Sequence, residues 1–317
     1  MIKSRKIPQL LCIIKASETT NHQISGGEDK NNSALIQNRK SVRAFTEKVV
    51  PYSMLEKIRN YYKQSVQRLV PELETQLYFF GTDAREALEG AAGYHQFLVG
   101  APQYLVLMSR KHELASLNAG YMMEDLVLKL TDLELDSCWL TFTNSEEVKG
   151  ALSIESDLDV AAIVAFGYGV KTTRRLRLNI LSMSNIDIQA KRHYIEPKRK
   201  VNEMVFMGQW GCTDKLNDYI GFFDNVLWES FYAASLSPSY LNRQAYGFVI
   251  HDSQVTLVER PDEYTTSLDG QLSLGIVLLH FSAVAQSLSG RISWQLGPDA
   301  AALELPEGHR VVASCVI

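Results

Sequence analysis

The sequence predicts an α+β fold: mixed sheets flanked by helices, arranged as two diverged copies in one chain forming a pseudo-dimer. Three observations predict it. Short apolar strands alternate with helices from Ser33 onward. Two helices, Leu114 to Leu133 and Leu268 to Ser287, are apolar nearly all round, a pattern that suits burial rather than a surface position. The order of elements also repeats. Gly120 and Gly270 each open a buried helix, and at the same offset Val127-Leu128 matches Val277-Leu278 and Val160–Phe166 matches Arg310–Val316. Trp139 and Trp294 both fall in the strand after the buried helix, with a short insertion before the strand in the second copy. The boundaries read as 33–180 for the first half and 181–317 for the second.

Composition narrows the function classes. Of the 317 residues, 46% are hydrophobic and 21% charged, which describes a globular chain with a sizeable core. There is no run of roughly 18 apolar residues, so no transmembrane helix is expected. The net charge of -4 argues against a general nucleic-acid binder, which would carry a basic field. The four cysteines, Cys12, Cys138, Cys212 and Cys315, form no Cys-x-x-Cys pair and read as reduced thiols of a cytoplasmic protein. The seven histidines show no metal-ligand spacing, and no metal site is expected. The chain has no Gly-x-Ser-x-Gly elbow, no phosphate-binding Walker loop and no Gly-x-Gly-x-x-Gly after a strand.

In chain order, residues 1–32 read as a disordered extension: basic at Met1 to Lys6, apolar only from Leu10 to Ile14, polar and Gly-rich from His22. Pro51 then opens a helix with Met54, Leu55, Ile58, Tyr62, Val66 and Leu69 on one stripe. Strands are expected at Leu77–Phe80, Tyr104–Met108, Ser137–Phe142 and Val160–Phe166. Asn144, three residues before Glu147, gives a capping-box-like start to a short helix. Lys171 to Arg177 is a basic tract that leads into a polar connection to about Lys200. A helix over Leu216–Leu236 follows, then strands at Tyr246–Ile250, Val255–Glu259, Ile292–Leu296 and from Val311 to the end.

Two stretches carry the candidate chemistry. Asn38 to Phe45 places Arg39, Lys40, Ser41 and Arg43 at a helix end. There a guanidinium fork and an ammonium can hold a phosphate. Read alone, the octamer also describes a solvated basic turn. Ser237 to Phe248 runs from a helix end through Pro238-Ser239 to Asn242 and Gln244, whose amides suit the alternating donors and acceptors of a heteroaromatic edge. Read alone, it is equally a helix cap and turn.

Together these stretches resemble the FMN-dependent nitroreductase family. The matching residues are Arg39, Ser41 and Arg43 for its Arg-x-Ser-x-Arg element, and Pro238, Ser239, Asn242 and Gln244 for its Pro-Ser-x-x-Asn-x-Gln element. Ala101-Pro102 matches before a central strand, as do Cys138-Trp139, the closing Gly167-Tyr168 and the basic tract Arg174, Arg175 and Arg177. The first half keeps only Pro71 and Gln76 of the second element, while the second half lacks the first. The chain therefore looks like the tandem "putative TM nitroreductase" subgroup, with one composite site. The resemblance implies FMN as cofactor. Arg39, Lys40, Ser41 and Arg43 would hold its phosphate, ribityl chain and pyrimidine edge, and Arg174 and Arg177 would add phosphate contacts. Pro238, Ser239 and Asn242 would line it from the other half, and backbone amides around Thr141 would approach its reactive nitrogen. It further implies NAD(P)H as donor, a nitroaromatic or quinone-type acceptor and a monomeric chain. A degenerate flavin-binding or interaction protein without turnover is the alternative.

Overall fold

A computed structural model describes residues 10–15, 32–93, 97–171, 174–182, 185–192, 197–213, 225–290 and 292–317. The first half is built on five strands: β1 (Leu10–Lys15), β2 (Thr75–Phe80), β3 (Gln103–Ser109), β4 (Asp136–Leu140) and β5 (Asp159–Gly167). They order as β1-β2-β3-β5-β4, with every neighbouring pair antiparallel. All residues of β2 and β3 are buried, so both faces of the sheet are covered and the strands read as unbroken apolar runs. Helices α1 (Asn32–Asn38), α2 (Tyr52–Gln64) and α4 (Ala115–Asp132), and the shorter α3 (Ala84–Leu88) and α5 (Ser145–Leu152), complete this half. Leu55, Ile58 and Tyr62 of α2 and Met122 and Leu126 of α4 pack with Leu77, Phe79 and Leu105. The alternate residues Tyr78, Phe80 and Tyr104 pack with Leu88 of α3 and Leu152 of α5. The Asn144 side chain caps α5, accepting from the amides of Glu146 and Glu147.

Strands β6 (Arg174–Ser182) and β7 (Asn185–Arg192) form a separate antiparallel pair. The second half follows with β8 (Val205–Met207), α6 (Asn225–Ser235), β9 (Tyr246–His251), β10 (Gln254–Glu259), α7 (Ser267–Ser289), β11 (Gln295–Leu296) and β12 (Arg310–Val316). Its sheet orders as β11-β12-β10-β9-β8 and is mixed, because β8 runs parallel to β9. The rings of Phe231 (α6), Phe248 (β9) and Phe281 (α7) meet at centroid distances of 5.2 to 5.6 Å and fix both helices on one face.

The two apolar helices α4 and α7 pack on each other at two glycines. A Cβ on Gly120 would lie 2.2 Å from the Leu272 carbonyl oxygen, and one on Gly275 would lie 2.0 Å from the Leu117 oxygen. Only hydrogen at these positions lets the backbones approach so closely. The contact is reciprocal: Leu272 belongs to the core of the first sheet and Leu117 to that of the second. Among the described residues one helical stretch, Ser267–Gln286, is long and apolar enough to cross a membrane, and 89% of its most apolar window is buried inside the protein.

Several expectations need correction. Leu10–Lys15, expected within a disordered extension, is the edge strand of the first sheet, its short unbroken apolar run pairing antiparallel with β2. The tract Arg174–Arg177 begins a strand rather than a linker. Leu176, Leu178 and Ile180 alternate with polar residues at period two, a signal masked by the charges. The strand expected over Ile292–Leu296 shortens to Gln295–Leu296, next to Gly297 at φ +100. The helix expected over Leu216–Leu236 is described from Asn225 to Ser235, and residues 214–224 lie outside the described residues. Gly120, paired in sequence with Gly270, shares its close backbone contact with Gly275 instead; a Cβ on Gly270 would find ordinary contacts at 3.4 Å.

Candidate functional site

The segment carrying Arg39, Lys40, Ser41 and Arg43 leaves α1 with the Arg39 amide bonded to the Leu35 oxygen at 2.9 Å. It then zips along the ends of β4 and β5. Ser41 bridges Ser137, Val42 N donates to Ser137 O, Thr46 N to Tyr168 O, and Val170 N to Ala44 O. Gly169 permits this approach, since a Cβ there would meet Asp136 Oδ2 at 2.6 Å. Lys40 and Ser41 are exposed, and Arg43 is half-buried. Lys40 and Arg43 have no ion-pair partner among the described residues. Burial pushes the Cys138 thiol up, against the pull of the nearby Arg43 and Arg39 charges.

Arg39 turns inward. Its side chain is 8% exposed, and its Nε lies 3.4 Å from Glu124 Oε1 on the middle of α4, without a hydrogen-bond partner. Glu124 is wholly buried. Its Oε1 faces His280 Nε2 of α7 at 2.9 Å, and its Oε2 accepts from Trp139 Nε1 at 2.8 Å. Burial alone would raise this carboxyl. The His280 hydrogen bond, the Arg39 and His280 charges and the Trp139 N–H outweigh it and hold the group below its ordinary range. His280 Nδ1 lies 3.1 Å from the Ala233 oxygen of α6. An oxygen thus faces each ring nitrogen of His280.

This path leads to the second stretch. Two residues beyond Ala233, the Ser235 oxygen accepts from Gln244 Nε2 at 2.8 Å, and Gln244 Oε1 accepts from Arg199 N. Gln244 is thus a buried staple across the loop that begins at Pro238. Ser239 Oγ accepts from Gln244 N, Tyr240 N donates to Ser273 Oγ, and Asn242 Nδ2 donates to the Pro197 oxygen. Asn242 Oδ1 is buried without a partner. Leu241, Asn242 and Gln244 all have positive φ, at 48°, 57° and 45°. Left-handed backbone costs a residue such as Leu about 1–2 kcal/mol, and such strain concentrates at ligand sites.

A cavity of about 420 Å³ opens beside this loop, lined by Ser239, Arg243, Gln244, Arg260 and the start of α7. Of the ten residues expected from sequence, Ser239 lines it; Arg39, Lys40, Ser41, Arg43, Thr141, Pro238 and Asn242 do not. Thr141, just past β4, accepts from Gly93 N at 2.7 Å. Arg174 and Arg177 lie in β6, with side chains outside the described residues. No hydrogen bond or ion pair among the described residues directly joins 39–43 to 237–244. Glu124 and His280 make the connection, and sequence reasoning missed both. The available signal was Glu124-Asp125 in the apolar middle of α4 and the single histidine of α7.

A family model described as "Putative TM nitroreductase" matches residues 32–285. The chain belongs to that family. The fold agrees: the crystal structure of a putative nitroreductase from Thermotoga maritima superposes with a TM-score of 0.53 at 18% identity, covering 94% of this chain and 99% of that one. Two shorter nitroreductases align at TM-scores below 0.5. One with bound FMN from Bacteroides fragilis does so at 0.38 and 19% identity, covering 50% of this chain and 99% of its own. An FMN-dependent one from Clostridium difficile does so at 0.37 and 18%, covering 44% and 87%. No curated protein matches in sequence. Arg39 Nε and Asn242 Oδ1, two of the nine buried side-chain polar atoms without a hydrogen-bond partner among the described residues, fall in the two stretches singled out by sequence.

Proposed function

We propose that the chain is an FMN-dependent oxidoreductase that passes electrons from NAD(P)H to a small electrophilic acceptor of the nitroaromatic or quinone type. The observation that carries the reading is the buried path from Arg39 through Glu124 and His280 to Ala233. It fastens a cationic segment of the first half to the helix that leads into the amide-bearing loop of the second. Two sets of groups suited to a phosphorylated heteroaromatic are thereby held in a fixed relation. FMN, when bound, would supply the redox chemistry itself.

The residues fit such a group. The terminal nitrogens of Arg39 form no hydrogen bond among the described residues, and Glu124 buttresses the guanidinium from behind. With Lys40 and Arg43 it makes a cluster suited to a phosphate, to which Arg174 and Arg177 would contribute. Asn242 Oδ1, buried and unpaired, costs about 1–3 kcal/mol until a partner arrives. Pro238, Ser239 and Asn242 would line the flavin from the second half, and the backbone around Thr141 would face its ring.

On the same reading the chain is a tandem of two diverged units that imitates a dimer, with one composite site. Support comes from positions sharing one sequence offset. Gly120 and Gly275 meet each other's helix, Asn118 and Ser273 each accept from the amides of the loop after the preceding helix, and Trp139 and Trp294 each donate into the core.

The test is spectroscopic. Protein titrated with FMN is expected to turn yellow with one flavin per chain and to oxidise NAD(P)H when menadione or nitrofurazone is present. Arg39→Ala and Asn242→Ala are each expected to weaken FMN binding at least tenfold. Protein that stays colourless after FMN addition would overturn the reading. Yellow protein that never oxidises NAD(P)H would leave a flavin-binding module without turnover.

A further inference from the structure

The cavity beside β10 holds an arginine whose counterpart in the first half is neutralised. Arg110 follows β3 and donates its amide to the Glu74 oxygen, just before β2. Arg260 follows β10 and donates its amide to the Ala245 oxygen, just before β9. The registers match as well: Thr75 pairs with Ser109 and Ser109 with Asp159, as Tyr246 pairs with Glu259 and Glu259 with Arg310.

The partners differ. Arg110 is clasped by two carboxylates, Glu74 at 2.5 Å and Asp157 at 2.6 Å. At the places of Glu74 and Asp157 the second half has Ala245 and Gly308, and both line the cavity. Arg260 forms no ion pair among the described residues. Its Nε is buried without a partner, and Nη2 makes one long hydrogen bond, 3.4 Å, to the Arg243 oxygen. The other charges here are already matched, Arg243 with Asp262 and Arg310 with Glu259. Burial, with Arg199 and Arg243 close by against Asp262, works against the Arg260 charge.

We propose that this cavity is an anion site, in which Arg260 takes the carboxylate or phosphate of a small molecule where two acidic side chains sit in the first half. The guanidinium fork suits either oxyanion. The volume of about 420 Å³ falls in the range of small-molecule pockets. Ser239 Oγ accepts from Gln244 N, which leaves its own proton for the ligand. The inference goes beyond the flavin assignment and does not require it.

The test is calorimetric titration of the full chain with inorganic phosphate and, separately, benzoate, at an ionic strength fixed with chloride. At least one ion is expected to bind saturably. Arg260→Ala should weaken that binding tenfold or more, while Arg39→Ala leaves it intact. Ala245→Glu restores the acid found beside Arg110, so it should abolish the binding and raise the melting temperature of the ligand-free protein. That variant also decides the matter if Arg260→Ala fails to fold. Binding of phosphate alone or of benzoate alone identifies the oxyanion. The proposal falls if the wild type binds neither ion, or if the Arg260 and Ala245 variants titrate like the wild type. FMN absorbance, read separately, keeps such a failure distinct from failure of the flavin assignment.

Discussion

The first sheet carries apolar clusters on both faces, under α2 and α4 on one side and α3 and α5 on the other. Among the described residues the second carries one such cluster, under α6 and α7. A 3-10 turn at Pro298–Ala300 stands where α5 would be expected. Trp210 approaches Gly247 of β9, its ring 4.6 Å from that of Phe206 and 5.0 Å from that of His309. The difference teaches that the helix-packed face is what the two halves need in common, because it meets the other half. The opposite face is free to change. At the β9–β10 end of the second sheet, Ala245 and Gly308 line a cavity at the register positions that Glu74 and Asp157 occupy in the first.

The shared face can be broken most severely at its buried charges. Glu124→Ala leaves His280 and Arg39 without their carboxylate and is expected to cost about 3–5 kcal/mol, measured by urea denaturation. The pH dependence follows from the sign of the shift. The Glu124 carboxyl is held down in the folded state, so its contribution is full above its unfolded value of about 4.3 and is lost as pH falls through the folded value. The Ala variant should lack that acid-limb loss.

The crossing itself gives the next effect. Gly120→Ala and Gly275→Ala should each destabilise by about 1–3 kcal/mol, because the added methyl meets backbone rather than a movable side chain. Gly270→Ala has room and should gain up to about 1 kcal/mol. Similar losses at the first two and none at the third would sharpen the correspondence; a loss at Gly270 alone would break it.

The smallest difference concerns helix starts. The first turn of α7 contains Asp269, whereas that of α4 contains no acid. Burial pushes the Asp269 carboxyl up to about 6, although Thr266 Oγ1 donates to it. A raised value favours the protonated form in the folded state, so stability is fully present below about pH 4 and declines as pH rises through about 6. Asp269→Asn should flatten the melting temperature over that interval.

Much of this architecture was legible in the sequence. Strands β2, β3, β5 and β9 carry continuous apolar runs, β10 and β12 carry runs broken by a single Thr or Ser, and α4 and α7 are too long and too apolar to be anything but core helices. The Asn144 cap worked as its chemistry suggested. What escaped was polar or relational. The strands β6 and β7 are polar on alternate positions, and β1 is separated from its partner β2 by more than fifty residues. The candidate site divides the same way. Arg39, Ser41, Ser239 and Asn242 stand out by residue type and spacing. Glu124 and His280 matter only because two helices meet, and periodicity within one helix cannot show that. Arg260 stands out only beside Arg110.

The exchanged leucines have a consequence for how the protein is made. All five strands of the first sheet are synthesised before residue 168, yet Leu272 of α7 belongs to that sheet's core. Those strands leave the ribosome with a gap in their greasy side, and the nascent chain has to remain in waiting until the helix that plugs it has been translated.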